Sequence, residues 1–279
     1  MFNIFKRSAY ETEDIPNSTF LALISYDGKE TDIDIPANIS IIKSEAFRNT
    51  DVSTVYIPAN VIQIGDNAFS DCHQLTNIVM DPNSNIKFGK EVFKNCEKLV
   101  EAKLGFTSEI PDGFFLNCSS LIGFSASEVT RIGDHAFENC SSFPGVNFPS
   151  SLTSIGKEAF ANCIDIKGLD FPSSITEIDD GAYRGCYNIY HAHLPLKLTK
   201  ISNHCFAGCR KLGTVTIHNK VKEIEEYAFF ECHGLHSIKF INSITKIGDH
   251  AFDSAWLREV TTPDRVTVIP QYCFANNHY

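Results

Sequence analysis

The hexapeptide IGDHAF occupies residues 132–137 and recurs unchanged at 247–252, with IGDNAF at 64–69 and IGKEAF at 155–160 as near copies. Aligned on the aromatic of this element, the chain reads Phe47, Phe69, Phe93, Phe115, Phe137, Phe160, Tyr183, Phe206, Phe229, Phe252 and Phe274, in steps of 22–24 residues. Five residues earlier stands an apolar column: Ile42, Ile64, Phe88, Ile110, Ile132, Ile155, Ile178, Ile201, Ile224, Ile247 and Ile269. Three residues after the aromatic, the middle eight units carry Cys72, Cys96, Cys118, Cys140, Cys163, Cys186, Cys209 and Cys232, and the end units carry Thr50, Ala255 and Asn277. A unit this short cannot bury its own apolar columns, so it has to stack on copies of itself.

The rest of each unit alternates apolar and polar residues and usually ends in proline, as in VYIP at 55–58, VNFP at 146–149, LDFP at 169–172 and AHLP at 192–195. Alternation over so few residues predicts a half-buried strand, and proline, which cannot donate to a ladder, closes it. In AFxxC the apolar residues stand three and four apart, which predicts about one helical turn. The glycines before it, Gly65, Gly133, Gly156 and Gly248, read as positions where the chain turns with positive φ. Stacked units would then form parallel strands at ~4.8 Å spacing, with the phenylalanines as an interior spine.

The resulting pattern, LxxLxLPxxLxxIxxxAFxxC, resembles the leucine-rich repeats of the BspA type, found in bacterial surface proteins and in mucosal protists. The resemblance covers residues 30–277. It implies an α/β repeat solenoid, curved, with a parallel β-sheet on the concave face and short helical or 3-10 turns on the convex side. It also implies a surface antigen or adhesin that binds macromolecules. The asparagine typical of other leucine-rich repeats is sporadic, at Asn38, Asn60 and Asn83. On this reading residues 1–18 are an N-terminal tail, residues 19–36 a capping hairpin around Asp27-Gly28, and residues 30–279 eleven repeats. Trp256, the only tryptophan, reads as a lid on the far end of the core, completed by Asn277 and the tail NNHY.

Composition narrows the function classes. A net charge of −10 argues against nucleic acid or an anionic membrane as a general partner, since both require a basic footprint. No segment approaches the ~20 apolar residues of a membrane helix, and MFNIFKRSAYETED lacks the apolar core of a secretory signal. The ten cysteines all fall at core-facing positions, eight in one column plus Cys205 and Cys273 beside the aromatic, and read as free buried thiols. No histidine stands at metal-ligand spacing from them, so neither a zinc cluster nor any cofactor is expected. Asp134-His135 and Asp249-His250 invite acid-base chemistry, but the same slots hold Lys157-Glu158, Asp180-Gly181 and Glu226-Tyr227 in other units. With no nucleophile or phosphate-binding motif either, the chain reads as a non-enzyme with no catalytic residues.

Function is therefore expected in residues the repeat leaves free. The strand position between the two apolar ones holds Asp34, Tyr56, Val79, Lys103, Ser125, Asn147, Asp170, His193, Thr216, Lys239 and Thr261, a mixture under no packing constraint. From Arg184 to Lys222 there is no Asp or Glu, while Arg184, Lys197, Lys200, Arg210, Lys211, Lys220 and Lys222 are basic. Strand parity puts His191 and His193 on one face, with Tyr190, Thr216, His218 and Lys239 nearby. These six residues form the candidate concave-face site, for a protein or an anionic glycan. A solvated basic edge with no ligand is the plain alternative. Capture of a metal by His191, His193 and His218 is disfavoured by their long diagonal spacing. The leading function is an adhesion or protein-binding module at the cell surface or secreted. The alternative is a cytoplasmic leucine-rich repeat scaffold, supported by the unpaired thiols. The sequons at Asn17, Asn38, Asn117 and Asn139 decide little, and the last two abut column cysteines.

Overall fold

The structure is a computed structural model that describes residues 9–145 and 147–277. Val146 of the expected VNFP strand, the last two residues of NNHY and residues 1–8 of the expected N-terminal tail lie outside the described residues. The chain winds as a succession of coils whose strand segments fall into two separate sets of parallel sheets. On one side Asp32–Asp34, Thr54–Ile57, Asn77–Met80, Glu101–Phe106 and Gly123–Ser127 form a five-stranded sheet, and Gly168–Asp170, His191–His193 and Thr214–Thr216 a three-stranded one. On the other side two-residue strands align the isoleucine column, with Ile110, Ile132, Ile155 and Ile178 in register and Ile201, Ile224 and Ile247 in register. The column is buried from Ile42 to Ile247 but ends at Ile269, which is 53% exposed because no described coil follows it.

The aromatic column forms the expected spine. Successive rings from Tyr26 through Phe47, Phe137 and Tyr183 to Phe274 stack with centroids between 4.8 and 5.9 Å apart. Offset stacking at this separation contributes about 0.5–1.5 kcal/mol per pair beyond the area buried. Tyr26 is an N-terminal rung that the repeat pattern does not contain, and Tyr10 packs on it at 5.3 Å. The cap differs from the expected hairpin around Asp27-Gly28. Leu21–Tyr26 pairs antiparallel with the preceding Tyr10–Asp14 and parallel with Ile39–Ile42, while Asp32–Asp34 belongs to the opposite side of the coil. The segments flanking Asp27-Gly28 thus enter different sheets, and the reversal occurs instead near Asn17, which has φ 60°.

The expected helical turns are absent among the described residues, which makes this a β-solenoid rather than an α/β repeat. At every aromatic rung from Phe47 to Phe274, the residues two before and two after the ring have positive φ. This alternation breaks any helix and turns successive N–H groups in two directions. Around Phe47, Ala46, Arg48 and Thr50 donate three residues back within the turn, whereas Glu45, Phe47 and Asn49 donate to Asp66, Ala68 and Ser70 of the next coil. Around Phe137 the cross-coil bonds repeat, from His135, Phe137 and Asn139 to Lys157, Ala159 and Ala161. Apolar spacing of three and four thus arises from paired tight turns whose backbone groups are satisfied by the neighbour. The left-handed residues are Asn, Asp, Glu, His, Tyr, Ser and Gly, and their backbone cost is offset by those bonds. The positive φ therefore falls at His135, not at the preceding Gly133. Gly133 is needed for close approach, since a Cβ there would lie 2.6 Å from the Asp112 backbone nitrogen.

Side-chain ladders run along the same turns. All ten cysteines are free and buried, and each column thiol donates to the carbonyl of a spine aromatic in the preceding coil, from Cys72 to Phe47 at 3.0 Å through to Cys232 to Phe206 at 3.2 Å. Burial pushes these thiols up, and Cys273 is raised to about 12 by the same cause. Asn277 takes the thiol's role in the last rung, its amide donating to Phe252 at 2.8 Å, so the expected polar end residue is present. Asn95, Asn117, Asn139 and Asn162 form an amide ladder that starts on Asp71, each donating 2.7–2.8 Å to the residue before. The sequons at Asn117 and Asn139 therefore lie inside a structural ladder. Trp256 does not cover the core end: it is 41% exposed and stacks on His233, 4.8 Å away on the lateral surface.

Three outcomes follow from this packing. Phe137→Ala removes a fully buried ring that contacts Phe115, Phe124, Phe143 and Phe160, and should cost about 3–5 kcal/mol in urea unfolding; a loss below about 1 kcal/mol would mean the interior is wrongly assigned. The hydroxyl of fully buried Tyr183 has no hydrogen-bond partner among the described residues, so Tyr183→Phe should stabilise by about 1–3 kcal/mol in the same assay, whereas destabilisation would reveal a partner for that oxygen. A thiol-specific chromogenic reagent should label the native protein only at the rate of unfolding and reach ten cysteines in denaturant, because the thiolate is the reactive species.

Candidate binding face

All eleven positions expected to face outward are exposed, while the residues flanking them are buried, as Val55 and Ile57 are around Tyr56, or partly buried, as Phe124 and Ala126 are around Ser125. Parallel register sets them side by side: Asp34, Tyr56, Val79, Lys103 and Ser125 form one row, and Asp170, His193 and Thr216 another. Tyr56 and Val79, 48% and 41% exposed, place an apolar pair in the middle of the first row. The described residues of 144–149 form no strand, so the two rows are separated by an irregular coil.

The second row contains the histidines. His191 and His193 share one strand, their rings 5.1 Å apart, and Tyr190 packs against His191 at 4.9 Å. Both histidines reach back to the preceding coil, where His193 Nδ1 lies 2.7 Å from Asp170 Oδ1 and His191 Nε2 lies 3.5 Å from Asp170 Oδ2. The hydrogen bond from His193 holds the Asp170 carboxyl below the usual carboxylate range. Thr216 is the register partner of His193 on the other side. His218 lies beyond the strand Thr214–Thr216 and outside this cluster, and Lys239 is exposed in the following coil. The six expected residues thus divide into a contiguous group, Tyr190, His191, His193 and Thr216, and two that the structure does not join to it. Asp170 is the residue that sequence reasoning placed on the face without recognising as their partner. The signal was its position 23 residues before His193.

The acid-free segment 184–222 is not a bare positive patch. Neighbouring coils supply the missing acids: Arg184 pairs with Glu158 at 2.8 Å, Lys200 with Glu225 at 3.1 Å and Arg210 with Glu231 at 3.2 Å. Lys211 donates to Asn188 and lies over the Tyr187 ring. Lys197, Lys220 and Lys222 remain exposed with no ion pair among the described residues.

The Asp-His pairs of the repeated hexapeptide do not face each other. Asp134 Oδ1 accepts the backbone N–H of Lys157 in the next coil, while His135 Nδ1 lies 2.6 Å from Glu138 Oε2. His250 likewise bonds Asp253 at 2.8 Å. Aspartate and asparagine at this column brace the turn by bonding the equivalent backbone nitrogen one coil on, as Asp66, Asp112 and Asp180 also do.

Comparison with curated protein sequences returns no significant match. Among solved structures, a leucine-rich repeat protein from Bacteroides ovatus is similar over 94% of this chain and 60% of its own, with 22% identity and a TM-score of 0.54. The pneumococcal vaccine antigen PcpA is similar over 95% of this chain and 83% of its own, with 18% identity and a TM-score of 0.53. Both likenesses are of fold. A family model for the BspA type leucine-rich repeat region matches in six copies, over residues 13–126, 108–235 and 199–279. These spans take in nearly the whole chain, and the rungs they match are the stacked coils described above, so the chain belongs to the BspA type leucine-rich repeat family.

Proposed function

We propose that the protein is a non-enzymatic binding module that recognises a macromolecular partner through the face of its longer strands, the concave face of the family geometry. The carrying observation is the outward row itself, in which Asp34, Tyr56, Val79, Lys103 and Ser125 stand in register and exposed between buried or partly buried neighbours. Leucine-rich repeats of this family are typically protein-interaction modules. An exposed tyrosine and valine flanked by charges suit a protein partner, since aromatic and apolar anchors ringed by polar groups carry most interface energy. An anionic glycan is the weaker reading, because Arg184, Lys200 and Arg210 of the basic segment are already paired with Glu158, Glu225 and Glu231. A cell-surface location is proposed from the family resemblance and from neighbours of this fold such as PcpA, whose description is that of a vaccine antigen. A cytoplasmic scaffold is the second reading, and ten unpaired thiols favour it.

A photo-crosslinking residue placed at Tyr56 or Thr216, and at Lys157 on the turn side as control, tests the face. Incubation with host-matrix extract and, separately, with cell lysate should yield a discrete adduct from the face positions and none from Lys157. Tyr56→Glu with Val79→Glu should lower capture of that adduct partner at least about tenfold while the unfolding midpoint is unchanged. Adducts formed equally from Lys157, or capture indifferent to the double substitution, would overturn the assignment.

A further inference from the structure

We propose that Asp170, His191 and His193 form a binding site for a single divalent transition-metal ion of the zinc class. One nitrogen from each histidine and one oxygen of the carboxylate all lie within 4.8 Å of one another. Ligands bonded to one zinc at about 2.0–2.1 Å stand about 3–3.5 Å apart. The separations present, 2.7 Å from His193 Nδ1 to Asp170 Oδ1 and 3.5 Å from His191 Nε2 to Asp170 Oδ2, bracket that distance and need only side-chain adjustment. Two imidazoles and a carboxylate are the donor set that borderline divalent ions prefer over calcium or magnesium.

The backbone is shaped for this cluster. His191 and Gly168 are register partners on adjacent strands, and the imidazole of His191 lies over the glycine, where a Cβ would overlap its Cε1 atom. Any larger residue at 168 would push the ring away from Asp170. Parallel pairing puts Asp170 opposite His193 in the same register, so both histidines converge on one carboxylate from a single strand. Tyr190 closes the outer side of the His191 ring. No lysine or arginine among the described residues pairs with Asp170, whose only ionic partners are the two histidines. That separates it from the other group of comparable geometry, His135, Glu138 and Glu158, where Arg184 already occupies Glu158 at 2.8 Å.

Loading replaces the hydrogen bond between His193 Nδ1 and Asp170 with the ion, and the neutral imidazole then carries its proton on Nε2. Three protein ligands leave at least one coordination position to water. The ion would stand on the same outward row as Thr216, but the site is independent of whether a macromolecule binds there.

The test uses untagged full-length protein, with Zn²⁺ followed by titration calorimetry and Co²⁺ by visible absorption. The expected result is one ion per chain and a cobalt spectrum with d–d bands but no thiolate charge-transfer band, which excludes the cysteines as ligands. Asp170→Asn and His193→Ala should each weaken binding at least about tenfold. Gly168→Ala, which removes no ligand atom and needs no positive φ, should weaken it as well, with the unfolding midpoint retained, whereas His135→Ala should leave it unchanged. A thiolate band, a stoichiometry of zero, or affinity within about twofold of wild type in Asp170→Asn and His193→Ala would each overturn the proposal.

Discussion

Every coil of this protein depends on the coil beside it, and the interaction that enforces this is the stack of aromatic rings spaced 4.8–5.9 Å along the interior. The shortest of these separations equals the ~4.8 Å spacing of parallel strands and the rest exceed it by no more than about 1 Å, so ring stacking and backbone pairing are compatible with one rise. The backbone adds a second dependence. At each rung alternate N–H groups leave the turn and donate to the next coil, as Phe47 does to Ala68 and Phe229 to Ala251. A coil isolated from its neighbour would lose both its apolar cover and half the hydrogen bonds of its turn. Stability of this kind propagates from coil to coil, with each interface contributing a similar increment.

The column cysteines belong to this scheme in a way their hydrophobicity conceals. They fill the interior as small apolar side chains, yet each thiol also supplies a second hydrogen bond to a spine carbonyl, as Cys163 does to Phe137 at 3.0 Å. Asn277 occupies the same column at one end and donates in the same way to Phe252, whereas Thr50 at the other end donates within its own turn, to Phe47. Ala255 cannot. The column is thus selected for a compact donor as well as for volume, which explains why threonine and asparagine substitute where the coil meets solvent.

The face and the turns show where one-dimensional reading succeeds and where it fails. The outward row was legible because strand parity is local: Tyr56 must point away from the core if Val55 and Ile57 point into it. The helical turn was misread because spacing of three and four belongs equally to a helix and to paired turns. Only the left-handed backbone at positions such as Glu45 and Asn49 separates them, and nothing in Glu announces it. The glycine of the hexapeptide was likewise assigned to the wrong cause. Gly133 serves close approach to Asp112, while the left-handed residue is His135. Charge was misjudged for a related reason: 184–222 contains no acid, but Glu158, Glu225 and Glu231 come from the adjoining coils.

The sequence by itself determined the period, the aromatic spine, the inward cysteines and isoleucines, and the set of residues left facing solvent, because all of these recur at a fixed interval and in-register stacking converts interval into position. The tertiary structure alone decided the turn conformation, the Tyr10–Asp14 cap, the neutralisation of the basic segment and the meeting of Asp170 with His191 and His193. Those features depend on which residue of one coil lies beside which residue of the next, and residues 21 to 26 positions apart become neighbours only once the chain has wound.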